Sequence, residues 1–390
     1  MSTQQEVIKA FMASLDKTTL SGSAALDEAI RASSSFKSAQ DVIDQMLSDQ
    51  KKSGSGDNFL KNYCGINLSN TDTGAITGKD AGGKTAKTAK SVVPESGSSK
   101  YPSGTSFTKR GLKVILPSEI VDDSIGSAKD KKLIISGLYS WWIEESLKLI
   151  ESSYGYSFLD ADANVSEITV KFFYDADSSA DLAYTHWYDG YEYGAFDGKV
   201  DALDLYINMA KYYNLKSTDK NGISPVGEGY LDRTIAHELT HAIMHAKIDN
   251  SYKLPAFLNE GIAELTHGID DEREERIKKL AANASLLEEC FDLSKISNPT
   301  TDEYSAGYMF MRSFAKNAVP PSDDDFIKNS TDGKLIKTGS GNDTIQNYGS
   351  NVTIQSGAGN NSIESGGKNI IIGTGDGNNS AELYTSAENV

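Results

Sequence analysis

Leu231-Asp-Arg-Thr-Ile-Ala-His-Glu-Leu-Thr-His-Ala-Ile-Met-His-Ala-Lys247 is the stretch on which the reading of this chain turns. Its apolar residues recur every three to four positions, which predicts a helix. On a helix, His237 and His241 stand one above the other on a single face, so both imidazoles reach one ion, and Glu238 lies beside it. With five histidines among 390 residues, a chance His-Glu-x-x-His is expected on the order of 0.004 times. Two histidines leave a catalytic metal short of protein ligands, so a third is required. Asn259-Glu-Gly-Ile-Ala-Glu264 supplies it. Residues 242 to 259, 18 in all, separate Glu260 from His241, room for one helix to end, turn at Leu254-Pro255 and return antiparallel.

His237-Glu238-Leu-Thr-His241 followed by Asn259-Glu260 resembles the gluzincin metallopeptidases, the clan of thermolysin-like enzymes and zinc aminopeptidases. The motifs themselves lie only in 237–264, within a region of about Gly111 to Lys316 that is similar in its order of elements. The resemblance implies Zn²⁺ held by His237, His241 and Glu260, with Glu238 as the general base. It implies for Glu264 the acidic residue that orients a ligand histidine, and for Asn259, next to Glu260, a place supporting the ligands from behind. Tyr304 matches the helix where aminopeptidase-like relatives keep an oxyanion-stabilising tyrosine, and Tyr308 and His186 are the other candidates. The strand at 203–209 resembles the clan's substrate-pairing edge strand. His245 is one turn beyond His241, and the outer two of three successive turns lie about 11 Å apart along a helix axis, too far for one ion; it is read as structural, as is His267. Cys64 as a thiolate cap on a latent zinc is a further, weaker idea, since such switches belong to a different protease group.

Around this centre the chain reads as multidomain. Val7, Phe11 and Leu15, then Ala25 and Ile30, then Val42, Ile43, Met46 and Leu47 fall at helical spacing, a small helical N-terminal region over 1–50. Residues 51–106 are rich in Ser, Gly, Thr and Lys and read as a flexible linker or pro-like segment. Strand patterns at Leu112–Leu116, Ile168–Tyr174 and Leu203–Met209, a long helix at Lys131–Ser152, and helices at Leu231–Lys247, Pro255–Gly268, Asp271–Leu287 and Thr301–Lys316 give an α+β domain over 107–325, which the resemblance implies is zincin-like.

From about Asn329 a period of nine takes over. Ile345, Ile354, Ile363 and Ile372 recur at that interval, and Gly339, Gly357 and Gly375 at 18. Thr338-Gly-Ser-Gly-Asn-Asp-Thr-Ile-Gln346 is similar to the RTX nonapeptide at every specified position but the first Gly. That resemblance implies a parallel β-roll or β-solenoid over 329–384, with 385–390 as a C-terminal tail, and export by a type I secretion apparatus through an uncleaved C-terminal signal. It also makes Asp343 a candidate Ca²⁺ ligand. Asn361 and Asn379 stand where further aspartates would, and neutral amides bind Ca²⁺ more weakly, so one site or none is expected, with amide ladders as the alternative.

Composition narrows the partners. The formal charge of −17, with pI about 4.8, excludes a phosphate-tracking partner such as nucleic acid. No apolar run approaches the roughly 20 residues of a membrane span, and the first residues lack the basic and apolar regions of a cleaved signal peptide. The expectation is therefore a secreted bacterial zinc metalloendopeptidase acting on protein or peptide. The alternative is a non-enzymatic secreted β-roll adhesin or surface protein on a degenerate metallopeptidase scaffold.

Overall fold

The computed structural model describes residues 4–66, 68, 104–117, 123–177, 180–192, 195–216, 222, 230–268, 271–318, 324–338, 341–357 and 359–384. Four helices open the chain: α1 (Gln4–Lys17), α2 (Gly22–Ser33), α3 (Ala39–Ser53) and α4 (Gly56–Phe59), the last running into a π-helical turn at Leu60–Cys64. Each long one buries an apolar stripe, such as Val7, Ile8, Phe11, Met12 and Leu15 on α1. The linker expected from residue 51 therefore does not begin there, because helical turns continue to Cys64; residues 69–103 of it lie outside the described residues. These helices share one apolar cluster with the region that follows. Gln50 reaches across 231 residues to donate to the Ala281 carbonyl at 2.9 Å.

Next come β1 (Ser106–Lys109), β2 (Leu112–Ile115), α5 (Ala128–Gly137), α6 (Ile143–Tyr154), β3 (Glu167–Phe173), β4 (Ala183–Glu192) and β5 (Ala195–Asn208). The long helix expected at 131–152 is α5 and α6 joined by a π turn at Leu138–Trp142. The five strands form a mixed sheet in the order β1-β2-β3-β5-β4, with β4 antiparallel to β5. This corrects the edge-strand expectation. The 203–209 stretch belongs to β5, which pairs with β3 on one side and β4 on the other, so β4 and not β5 is the edge at that end of the sheet among the described residues.

The helical half follows as α7 (Leu231–Lys247), α8 (Ala256–His267), α9 (Asp271–Ala281), α10 (Ala284–Glu289) and α11 (Thr301–Asn317). The helix expected at 271–287 breaks at 282–283, where Asn283 caps α10 by accepting from Leu286 N–H at 3.1 Å. Thr300 and Glu303 form a capping box at the start of α11. Tyr154 of α6 donates to the Ile262 carbonyl at 2.6 Å and meets Thr266 Oγ1 at 2.9 Å, and Thr266 meets Thr240 Oγ1 of α7 at 2.8 Å. Buried hydroxyls thus tie α6, α7 and α8 together where the histidines sit.

Toward the C-terminus the described residues form seven short strands: β6 (Phe326–Asn329), β7 (Leu335–Lys337), β8 (Thr344–Asn347), β9 (Thr353–Gln355), β10 (Ser362–Ser365), β11 (Ile371–Gly373) and β12 (Ser380–Leu383). They form two parallel sheets, β12-β10-β8-β6 and β11-β9-β7, so successive strands alternate between sheets. The nine-residue period is a half-turn and 18 residues a full one: Ile345 pairs with Ile363 and Ile354 with Ile372. The pattern starts earlier than 329, since Ile327 and Ile336 already stand in register. A second apolar cluster, separate from the first, contains Ile336, Ile345, Ile354 and Ile363. The chain is thus a mixed α and β structure with several sheets.

Candidate metal centre

On α7, His237 and His241 project from successive turns, and α8 brings Glu260 against both. His237 Nε2 is 3.0 Å and His241 Nε2 3.2 Å from Glu260 Oε2, and the two nitrogens are 3.1 Å apart. Tetrahedral donors at about 2.05 Å from a Zn²⁺ would be roughly 3.3 Å apart. The observed triangle is slightly contracted, with the donor chemistry that zinc takes, so the three residues fit a metal ion. Burial drives the His237 pKa down, but its hydrogen bond to Glu260 and the charges of Glu238, Glu260 and Glu264 outweigh that and raise it to about 9. Burial acts upward on Glu260, and the charge and hydrogen bonds of the two histidines nonetheless hold it well below the ordinary carboxylate range. The pocket is built for positive charge at this point.

Glu238, also buried, is held by the edge strand. Thr185 N–H donates to its Oε2 at 2.7 Å, and Thr185 Oγ1 donates to its main-chain carbonyl at 2.9 Å. Burial raises its pKa, with the charges of His237 and His241 and the Thr185 bond opposing.

Behind His237 lies a second layer. Glu264 Oε1 stands 3.7 Å from His237 Nδ1, His267 Nε2 stands 3.4 Å from the same nitrogen, and Arg273 holds Glu264 at 3.1 Å. Such contacts fix a ligand imidazole's orientation and tautomer. His267, read as merely structural, thus touches a candidate ligand, and Arg273 is a residue the sequence reading missed. His245 instead is buried and bonded to Ser251 Oγ at 2.7 Å.

The Tyr304 ring lies parallel to His237 at 5.9 Å, with the Arg273 guanidinium 4.7 Å over its centre. Burial raises its pKa well above the ordinary tyrosine value, so it keeps its proton. Tyr308 is buried within α11. His186 is corrected as a candidate electrophile: strand alternation puts it on the outer face of the sheet with Tyr188 and Tyr206, at ring distances of 4.7 and 6.5 Å, whereas Thr185 faces α7. Cys64 is also corrected as a metal cap. It is fully buried among charges from Arg312, Lys316 and Asp49, and burial pushes its thiol pKa up, the opposite of a ready thiolate.

A cleft of about 410 Å³ exposes this group, walled by Thr185 and Trp187 of β4, Asn259 and Glu260 of α8, the Ile296–Pro299 loop and Tyr304. No helix among the described residues is long and apolar enough to cross a membrane.

Asp343, the candidate calcium ligand, is buried in the tail. Its Oδ1 accepts from Asp325 N–H at 2.9 Å, its own N–H donates to Asn361 Oδ1 at 2.9 Å, and Asn361 N–H donates to Asn379 Oδ1 at 3.2 Å. A parallel ladder links Asn342, Asn360 and Asn378, each bond spanning 18 residues. Oδ1 of Asp343, Asn361 and Asn379 thus form one ladder of acceptors, while the buried Asp343 Oδ2 has no hydrogen-bond partner among the described residues.

No family model matches this chain, and neither a curated protein nor a solved structure matches it.

Proposed function

We propose that this chain is a secreted zinc-dependent endopeptidase. The observation that carries the reading is the convergence of His237 Nε2, His241 Nε2 and Glu260 Oε2 within 3.2 Å of one another beside the buried Glu238. Bound Zn²⁺ would supply Lewis acidity, lowering the pKa of a water toward neutrality. Glu238 accepts the proton released and returns it to the leaving amine. Tyr304, kept protonated, donates a hydrogen bond to the oxyanion of the attacked carbonyl. Main-chain groups along the open edge of β4 pair with the extended peptide. Glu264, braced by Arg273, stands 3.7 Å from His237 Nδ1, and its charge favours a proton on that nitrogen, which leaves Nε2 for the ion. The 18-residue coils support a parallel β-roll related to RTX repeats, and with it export by a type I apparatus, with Asp343 as the candidate Ca²⁺ ligand of the tail.

The test joins elemental analysis to hydrolysis. Zinc-replete wild type should hold about one zinc per chain and Glu260→Ala should lose it. Glu238→Gln should keep zinc while casein hydrolysis falls roughly 10²- to 10⁴-fold. Equal hydrolysis by wild type and Glu238→Gln, or no zinc in wild type, overturns the reading.

A further inference from the structure

The walls of the cleft differ in charge from what a neutral substrate requires. Among the described residues that line it are three carboxylates, Asp181, Glu238 and Glu260, and no lysine or arginine. Glu238 and Glu260 together balance the two charges of a divalent cation at the histidines. Asp181 is then the uncompensated charge among the described residues of the cleft. Asp181 is an exposed residue whose carboxylate is partly desolvated, and that carboxylate has no hydrogen bond or ion pair among the described residues, unlike the acidic groups elsewhere that are tied to Lys171, Lys247 or Arg273.

Its position is fixed by the backbone. Fully buried Asn208, at the end of β5, donates through Nδ2 to the main-chain carbonyls of Asp175 and Asp181, both at 2.9 Å, and its N–H donates to the Leu182 carbonyl at 3.0 Å. Asp181 therefore enters β4 at a set place on the cleft rim, two residues before Ala183 and four before the Thr185 that holds Glu238. An extended peptide lying along β4 passes it. A fixed anion at the mouth of a partly desolvated cleft selects by charge, rewarding a cation and penalising an anion.

We propose that Asp181 receives a cationic nitrogen of the peptide, the ammonium or guanidinium of a Lys or Arg side chain or the free α-ammonium of a peptide terminus. This rests on the peptidase reading and names the substrate class of that site. The test uses zinc-loaded full-length protein and fluorogenic peptides that differ at one position, Lys, Arg, Leu or Glu, each with a free or an acetylated N-terminus. Hydrolysis is followed in wild type, Asp181→Asn and Asp181→Lys, and binding by fluorescence anisotropy in the same proteins and in Glu238→Gln. Wild type should prefer Lys or Arg over Leu by tenfold or more. That ratio should collapse in Asp181→Asn, and Asp181→Lys should turn preference toward Glu. Persistence with acetylated peptides assigns the side chain; loss on acetylation assigns the terminus. Equal binding of Lys, Leu and Glu peptides, or a preference unchanged in Asp181→Asn, overturns the proposal. Asp181-dependent binding without hydrolysis by wild type would leave the cation site standing and remove the peptidase reading instead.

Discussion

His245 shows how far one residue's surroundings decide its role. It shares α7 with His237 and His241 and follows them at the same spacing, yet burial first, then the positive charge of His241, depress its pKa to about 3, with Glu260 only partly opposing. The folded chain therefore holds it neutral. As pH falls below 6.5, the unfolded chain takes up a proton that the folded one refuses, so stability is lost on acidification and is unaffected above that range. Between pH 7.5 and 5.5 the wild type should lose about 1.4 kcal/mol more than His245→Asn, read as the difference in urea unfolding free energies. Parallel pH dependences would show that His245 titrates normally. The helix spacing alone predicts that His245 cannot join the other two on one ion, but not that Ser251 satisfies it, because that partner comes from the turn after the helix.

At the scale of elements, the site depends on α8 lying close enough to α7 and α11 to deliver Glu260. Gly261 and Gly307 make that approach possible. A Cβ on Gly307 would stand 1.8 Å from the Phe257 carbonyl oxygen, and one on Gly261 would stand 2.3 Å from the Gly307 backbone. Gly307→Ala should push the helices apart, costing about 3 kcal/mol. It should also weaken zinc binding roughly tenfold or more, because Glu260 rides on the displaced helix. Thermal unfolding and competition with a chromogenic chelator check the two effects, and a variant unchanged in both would refute the contact's importance. The helices themselves were legible: α7 spans Leu231–Lys247 as its periodicity predicts, and α8 begins just past Pro255. The edge strand was not. In β4 the alternation of Ala183, Thr185 and Trp187 with Tyr184, His186 and Tyr188 is a strand signal, but only pairing shows that β4 and not β5 stands at the rim. Thr185 and Asp181 were hidden for the same reason, since they meet the site from β4 and the segment just before it, about 50 residues ahead of α7, and Arg273, nine residues past Glu264, was hidden because spacing does not show how α9 folds back on α8.

Across the whole molecule two apolar clusters share no residue, one spanning α1 to α11 and one inside the 18-residue coils. The first draws the N-terminal helices into the body that carries the candidate metal centre, which no local pattern could disclose. The second is quasi-linear: each coil buries isoleucines against the coils before and after, so its stability is a sum of neighbour contacts. Glycine enforces the close stacking, for a Cβ on Gly359 would meet the Gly341 carbonyl oxygen at 1.9 Å. Separate cores predict separate unfolding. Ile345, fully buried between coils, should cost about 2 to 4 kcal/mol when truncated to Ala. Calorimetry of the full chain should then show one transition shifted down and a second left in place, and only the second should move when zinc is removed by chelation. A single transition that responds to both treatments would mean that the two cores unfold as one.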